Sequence, residues 1–436
     1  MQKKIIALAV AGLVSGGAFA QSNVTISGQM KVGVDGISAG GATAGSAANH
    51  TSRTRVVDNN SNIRFSGSEK LGNGMTAVFQ IESALGTDDK VGTDTSGTGA
   101  NRTVLGSRDT FVGLSGNWGT VALGKHSVHY NSMANVEAAG LVDGLALVTS
   151  SLNLLNSINS TSLLGSTRLN NAIAYISPTW NGFNAMVGYT TLGEATTPLQ
   201  SKKDNGLNVK LAYNNGPIAA TYSYLAVNGA GATAPTAAAG ATVTCYDPAL
   251  STSATTTLAA CALLTGIATS STAAVAANTG NGSDVRSNRL GGAYTFPMGL
   301  KVGLIWDKSK NTNKGNPAGD TWIERSAWAL PISYRTGAHN FSFTYAKTNN
   351  TSVDSATGLT AARVAGWDDS AKMTMLGYEY SMSKRTSVSV SWTQINNSAQ
   401  GTYDFWHPSS NVTSAGAGVN AGADPRAFSV NLTHRF

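Results

Sequence analysis

The chain has 436 residues and a formal net charge of +7, yet only 12% of its residues are charged, against 41% hydrophobic residues and 49 glycines. A soluble domain carries about twice that charged fraction, and a disordered chain holds fewer aromatic and β-branched residues. Beyond the N-terminus no run approaches the roughly 18 apolar residues of a transmembrane helix, so strands are the remaining way to cross a bilayer with every backbone group paired.

Taken in order, residues 1–20 read as a secretory signal peptide, with Lys3 and Lys4, an apolar run over 5–14, and Ala18-Phe19-Ala20 as the small-residue cleavage site. Removing it leaves residues 21–436 as one domain with a charge of +5, the +7 of the whole chain less Lys3 and Lys4. The first strand, 24–34 (VTISGQMKVGV), places Val24, Ile26, Met30, Val32 and Val34 on one parity and Thr25, Ser27, Gln29 and Lys31 on the other. Alternate side chains of a strand point to opposite faces, which makes this a wall between lipid and water.

Seven hairpins follow: 62–69 with 75–83, 110–115 with 120–126, 169–177 with 183–190, 207–213 with 218–225, 290–295 with 300–306, 328–334 with 340–346, and 373–380 with 386–395. Short turns join them, and Asn73-Gly74 in the first is a strong hairpin signal. The last strand, 426–436 (RAFSVNLTHRF), puts Phe428, Val430, Leu432, His434 and Phe436 on one face. A half-apolar terminal strand left unpaired is an aggregation edge, so it is predicted to close against the first strand. Seven hairpins and two terminal strands give sixteen. The fold class is all-β: a 16-stranded antiparallel transmembrane β-barrel with short periplasmic turns and long external loops.

Eight longer connections lie between these elements, over 37–61, 87–107, 127–167, 192–206, 227–286, 309–325, 349–371 and 397–426. Tyr and Trp near the strand ends, such as Tyr175, Trp180, Tyr294, Trp306, Tyr378 and Trp392, match interfacial aromatic girdles.

Several blocks taken together carry a resemblance. They are Ser22-Asn23-Val24-Thr25 with Gly28, the run from Asn62 through Phe65-Ser66-Gly67-Ser68-Glu69 to Gly74, Phe111-Val112-Gly113-Leu114-Ser115-Gly116, Gly119-Thr120-Val121-Ala122-Leu123-Gly124-Lys125, Arg168-Leu169-Asn170-Asn171, Leu376-Gly377-Tyr378 with Ser383-Lys384-Arg385-Thr386, and the terminal His434-Arg435-Phe436. In this order they resemble the general porins of Gram-negative bacteria, in the β-proteobacterial branch. The resemblance implies a homotrimer of barrels in the outer membrane and an inward-folded third loop that narrows each pore. It also implies that Phe436 is a C-terminal signal for the outer-membrane assembly machinery. The chain departs from the family pattern in its long 227–286 loop, in Arg64 as the basic residue of the second strand, and in Lys125 where an arginine is common.

A pore makes no bonds, so its chemistry is charge placed on a narrow wall. Parity turns Lys31, Arg64, Arg108, Arg168, Lys210, Lys301 and Arg435 toward the lumen. Arginines offer anions successive substitutes for lost hydration water, so Arg64, Arg108 and Arg168, with Lys31, are the candidate basic wall of the constriction. The alternative is that some sit at the rim and bind lipopolysaccharide phosphates. Lys125 has the outward parity unless a bulge turns it. In the third loop, Leu141, Leu145, Val148, Leu152, Leu155 and Ile158 recur at helical spacing, an apolar face able to pack on the inner wall. Glu137 and Asp143 would then face the arginines across the lumen, and the excess of basic residues leans the pore toward anions.

Cys245 and Cys261, both in the 227–286 loop, read as a disulfide in an exported protein. That loop holds no histidine, and two thiols alone make a poor metal site, so no metal or other cofactor is expected. An H-E-x-x-H zinc-protease motif is absent, and the basic residues form no tract for nucleic acid. The expectation is a non-enzymatic diffusion channel for small hydrophilic solutes and ions, surrounded by outer-membrane lipid. The rival reading is a receptor or adhesin barrel with a closed lumen.

Overall fold

The structure, a computed structural model, describes residues 23–43, 49–88, 105–127, 133, 135–137, 144–155, 168–191, 205–230, 242–247, 252–257, 267–272, 283–314, 321–353, 368–406, 411–412 and 418–436. Its wall consists of β1 (Asn23–Gly40), β2 in two segments (His50–Asp58 and Asn62–Gly72), β3 (Met75–Ala84), β4 (Thr110–Gly116), β5 (Gly119–Ser127), β6 (Arg168–Ile176), β7 (Phe183–Thr191) and β8 (Asn205–Asn215). It continues through β9 (Ile218–Ala230), β10 (Ser283–Thr295), β11 (Leu300–Asn313), β12 (Thr321–Thr336), β13 (His339–Thr348), β14 (Ala371–Ser381), β15 (Thr386–Asn397) and β16 (Asp424–Arg435). Each pairs antiparallel with its predecessor, and β16 pairs with β1 from Gly40↔Asp424 to Gln29↔Arg435. The sheet is therefore a closed 16-stranded barrel, which abolishes both edges.

Alternation is kept around the wall. Val24, Ile26, Leu123, Ile173, Leu304, Leu376 and Leu432 are exposed on the outside, while their inward neighbours Lys31, Asp35, Ala122, Ala174, Ile305, Met375 and Thr433 are buried. The strands rise further than apolar periodicity predicts. The first connection, read as 37–61, shrinks because β1 runs to Gly40 and its partner begins at His50. Above the lipid a strand needs no apolar face, so HTSRTRVVD is strand without the signature of one. Pro331 sits within β12 at a place where its missing N–H does little harm: pairing with β11 skips from Val302↔Ile332 to Ile305↔Ala329 and resumes in the same register.

β2 carries the one break that matters for the lumen. Its segments pair with successive halves of β1, and between them Asp58 Oδ1 accepts the backbone N–H groups of Asn60 (2.9 Å) and Ser61 (3.1 Å). Asn60 takes the left-handed conformation, φ 85°. Asn59 still donates its backbone N–H to the Lys31 carbonyl of β1 at 2.8 Å, and the Asx-type turn after it takes Asn60 out of the ladder and into the barrel.

The interior is not uniformly polar. Ala327 and Ala329 of β12, Ala346 of β13, Ala371, Met373 and Met375 of β14 and Ile395 of β15 make an apolar patch on the inner wall. Leu145, Val148, Leu152, Leu154 and Leu155 of the connection after β5 pack on it. Each aliphatic side chain so buried stabilises by about 1.5–3 kcal/mol, enough to hold a loop with two short helical turns, Leu147–Thr149 and Leu152–Leu155. A separate three-stranded sheet, Thr242–Asp247, Thr252–Thr257 and Ile267–Thr272, occupies part of the long connection after β9. Cys245 lies on its first strand; Cys261, Asp143 and residues 1–20 lie outside the described residues.

Candidate functional site

Strands β2 and β3, the residues entering β4, and β6 two strands beyond β4 bring one charged cluster to the inner wall. Glu82 of β3 is 2% exposed, and two arginines converge on it: Arg108 Nε donates to Oε1 at 2.5 Å and Arg64 Nη2 to Oε2 at 3.1 Å. Register makes the second pair direct, since Arg64 stands opposite Glu82 across the β2–β3 ladder. Arg108 Nη1 also donates to Asn60 Oδ1 at 2.7 Å, which is the use of the β2 turn. Beside them Arg168, at the start of β6, donates to Asp109 Oδ1 at 2.8 Å, and Ser127 Oγ donates to the same carboxylate. Lys31 is buried in β1, where its backbone N–H bonds Ser61 Oγ at 2.9 Å.

The third loop crosses the lumen opposite this cluster. At one end the Gly144 carbonyl accepts from Ser389 Oγ (2.9 Å) and Asn431 Nδ2 (2.6 Å), and the Leu147 N–H donates to Asn59 Oδ1 (2.9 Å). At the other end Arg325 Nη2 donates to the Leu154 carbonyl at 3.0 Å and Arg289 Nη2 to the Leu155 carbonyl at 3.4 Å, while Arg289 Nε is paired with Asp307 at 2.9 Å. Backbone carbonyls held by wall side chains and an apolar face on the inner patch fix the loop without closing a strand over it.

Glu137 does not look across the lumen at the arginines. Its Oε1 accepts from the Ser151 N–H (2.9 Å), Ser151 Oγ (2.8 Å) and Ser150 Oγ (3.2 Å), so the carboxylate holds its own loop together. The loop hydroxyls and N–H replace the water this carboxylate loses on burial. Burial pushes its pKa above the ordinary carboxylate value, opposed by those hydrogen bonds and by attraction to Arg289. A carboxyl whose pKa is raised on folding binds its proton more tightly in the folded state. Stability is therefore greatest below the ordinary carboxylate pKa and falls as pH rises through the folded value. Glu137→Gln should flatten that part of the melting temperature's pH profile, and an unchanged slope between wild type and variant would contradict this.

Of the residues singled out from sequence, Arg64, Arg108 and Arg168 come together and Lys31 lies on the adjoining strand; Glu137 is elsewhere. Lys125 keeps the outward parity, but the ladder between β5 and β6 shifts register between Gly124 and His126, and its Nζ approaches the Ser107 carbonyl at 3.3 Å. The acidic partners Glu82 and Asp109 escape a search for basic residues. For Glu82 the signal was present: Gln80 and Glu82 alternate with outward Phe79 and Ile81 in MTAVFQIESA. Asp109 sits at a loop boundary, where parity does not reach.

The model of the family described as Gram-negative porin matches residues 7–262 and 249–400. Among curated relatives, the major outer membrane protein P.IB of Neisseria gonorrhoeae is 30% identical over 230 residues, 52% of this chain and 57% of that protein. The outer membrane porin protein 32 of Delftia acidovorans is 30% identical over 224 residues, 51% of this chain and 58% of the relative. The chain thus spans less than two thirds of the length of the curated relatives it matches. Among solved structures, an anion-selective porin from Comamonas acidovorans aligns with a TM-score of 0.65 over 95% of this chain and 100% of that one, at 21% identity. OmpT of Vibrio cholerae aligns with a TM-score of 0.58 at 12% identity over 96% and 100%. With a closed barrel whose lipid-facing band is apolar and a family match over most of its length, the chain is an outer-membrane protein that belongs to the Gram-negative porin family.

Proposed function

We propose that the chain forms a passive, water-filled channel for small hydrophilic solutes and ions, with a mild preference for anions. The observation that carries this reading is the charged cluster near the third loop: Arg64, Arg108 and Arg168 against Glu82 and Asp109 leave one positive charge in excess. Arginines arrayed on one wall give an anion partners as it sheds water, while the carboxylates moderate the field. The lean is mild for that reason. The Comamonas acidovorans structure is described as anion-selective, which agrees with this sign. In this reading the working unit is a homotrimer, as OmpT has been solved in a trimer form, residues 1–20 are a signal peptide, and no bond-making step occurs.

The test is the reversal potential of the purified protein in planar bilayers under a potassium chloride gradient. The expected sign is that of chloride permeating faster than potassium. Arg168→Gln and Arg108→Gln should each move it toward cations. A clear cation preference in the wild type would overturn the anion lean, and absence of stable openings would overturn the channel itself in favour of a closed receptor barrel.

A further inference from the structure

At the end of the barrel that carries the short turns, beneath the Gly144 turn of the third loop, lies a second polar cavity of about 670 Å³. Arg335 from the end of β12, Lys384 from the turn before β15 and Arg435 from the end of β16 line it, with Glu379 of β14. Gly144 forms its roof, and a Cβ there would collide with the Glu379 carboxylate and with Ser387 Oγ. Glycine lets the loop come down onto this wall, where Ser389 and Asn431 grip its carbonyl.

The contrast with the constriction is in the pairing. There each of the three arginines has a carboxylate within 3.1 Å. Here three cations share one acid, and among the described residues Arg335, Lys384, Arg435 and Glu379 form no ion pair. Three positive groups and one negative leave an excess of two charges in a cleft whose walls are protein, where field lines are focused and counter-ions collect. Like charges gathered without partners repel one another, and an anion seated among them relieves that repulsion. The hydroxyls of Ser383 and Ser387 on the same wall supply neutral donors for its remaining oxygens.

We propose that this cavity is an anion-binding site at the periplasmic mouth, taking small solutes that carry two or more negative groups, such as di- and tricarboxylates or phosphates. The side from which it fills rests on the channel reading above; the site itself does not. A solute leaving the constriction meets it next, so it acts as a second, stronger station for multiply charged anions, while chloride gains less from it. The anion lean of the pore then grows with the charge on the solute.

Citrate is the probe, and calorimetric titration of the purified, detergent-solubilised protein is the first measurement. Wild type should bind citrate in a salt-dependent manner. Arg335→Gln and Lys384→Gln should each weaken it about threefold, the effect of a solvated, screened charge. Glu379→Gln should tighten it, an opposite sign that a folding defect does not produce. No citrate binding by wild type, or equal binding by the Arg335→Gln/Lys384→Gln double variant, would overturn the site. In bilayers, citrate added on the short-turn side should reduce chloride current at lower concentration than on the long-loop side, and the double variant should abolish the difference. Equal block from both sides overturns the location. A barrel that binds citrate but never conducts leaves the site standing and removes the channel.

Discussion

Replacing Glu82 with Gln should make the pore more anion-selective, with the chloride-to-potassium permeability ratio rising about fivefold, on the order of 1 kcal/mol in the relative cost of the two ions. Glu82 is the shared acceptor of Arg64 and Arg108. Its removal as a charge raises the excess in the cluster from one to two, counting Arg64, Arg108 and Arg168 against Asp109 alone. Arg108 remains held by Asn60 Oδ1, so the positive group stays on the wall while its counter-charge is lost. Gln keeps the length of Glu and one acceptor oxygen, which limits the structural cost. Arg64, whose side chain is 44% exposed, is the one expected to swing into the lumen. The reversal potential in a salt gradient reads the result. An unchanged or cation-shifted value would show that Glu82 does not moderate the field, and the pairing argument would fail with it.

That prediction rests on a residue whose position is written in the alternation of β3. The basic half of the site was legible because Arg64 and Arg168 lie in strands whose outward faces are plainly apolar, so the opposite parity had to face the lumen. Glu82 obeys the same rule. Asn60 does not, because the Asx turn at Asp58 breaks the ladder that parity counts along. Glu137 shows a different limit: periodicity in the third loop found its apolar face, but a carboxylate's partner in a loop depends on backbone geometry that no period encodes.

The barrel itself was legible down to the strand count because closure is a collective demand. Once the hairpins are paired, the two terminal strands have nowhere else to satisfy their N–H and C=O groups in lipid. What alternation under-read was the upper part of β1, β2 and β12, where the outward face meets headgroups and water. One signal for the inward loop was also available. Ala327, Ala329, Ala346, Met373 and Met375 are apolar on the inward parity, and an apolar patch facing a water-filled lumen has to be covered by something.

Deleting Phe436 should harm assembly far more than conduction. Its N–H donates to the Gly28 carbonyl at 3.1 Å and its carbonyl accepts from the Gly28 N–H at 3.0 Å, so the last residue makes the final pair of the seam between β16 and β1. Gly28 has no side chain because the ring is there: a Cβ at that position would meet Phe436 Cζ at 2.8 Å and collide with the Asn62 carbonyl. Loss of two backbone hydrogen bonds costs on the order of 1–3 kcal/mol, and Gly28 of β1 loses the aromatic ring that lies over it. The arginine cluster belongs to β2, β6 and the residues before β4 and makes none of these contacts. Barrels that do close should therefore keep the unit conductance of the intact chain. The folded fraction, read as the heat-modifiable band of protein recovered from membranes, should fall several-fold, and Gly28→Val should reproduce the defect from the other side of the seam. If the shortened chain folds as fully as wild type, the terminal strand closes without its last pair, and Phe436 is dispensable to the barrel.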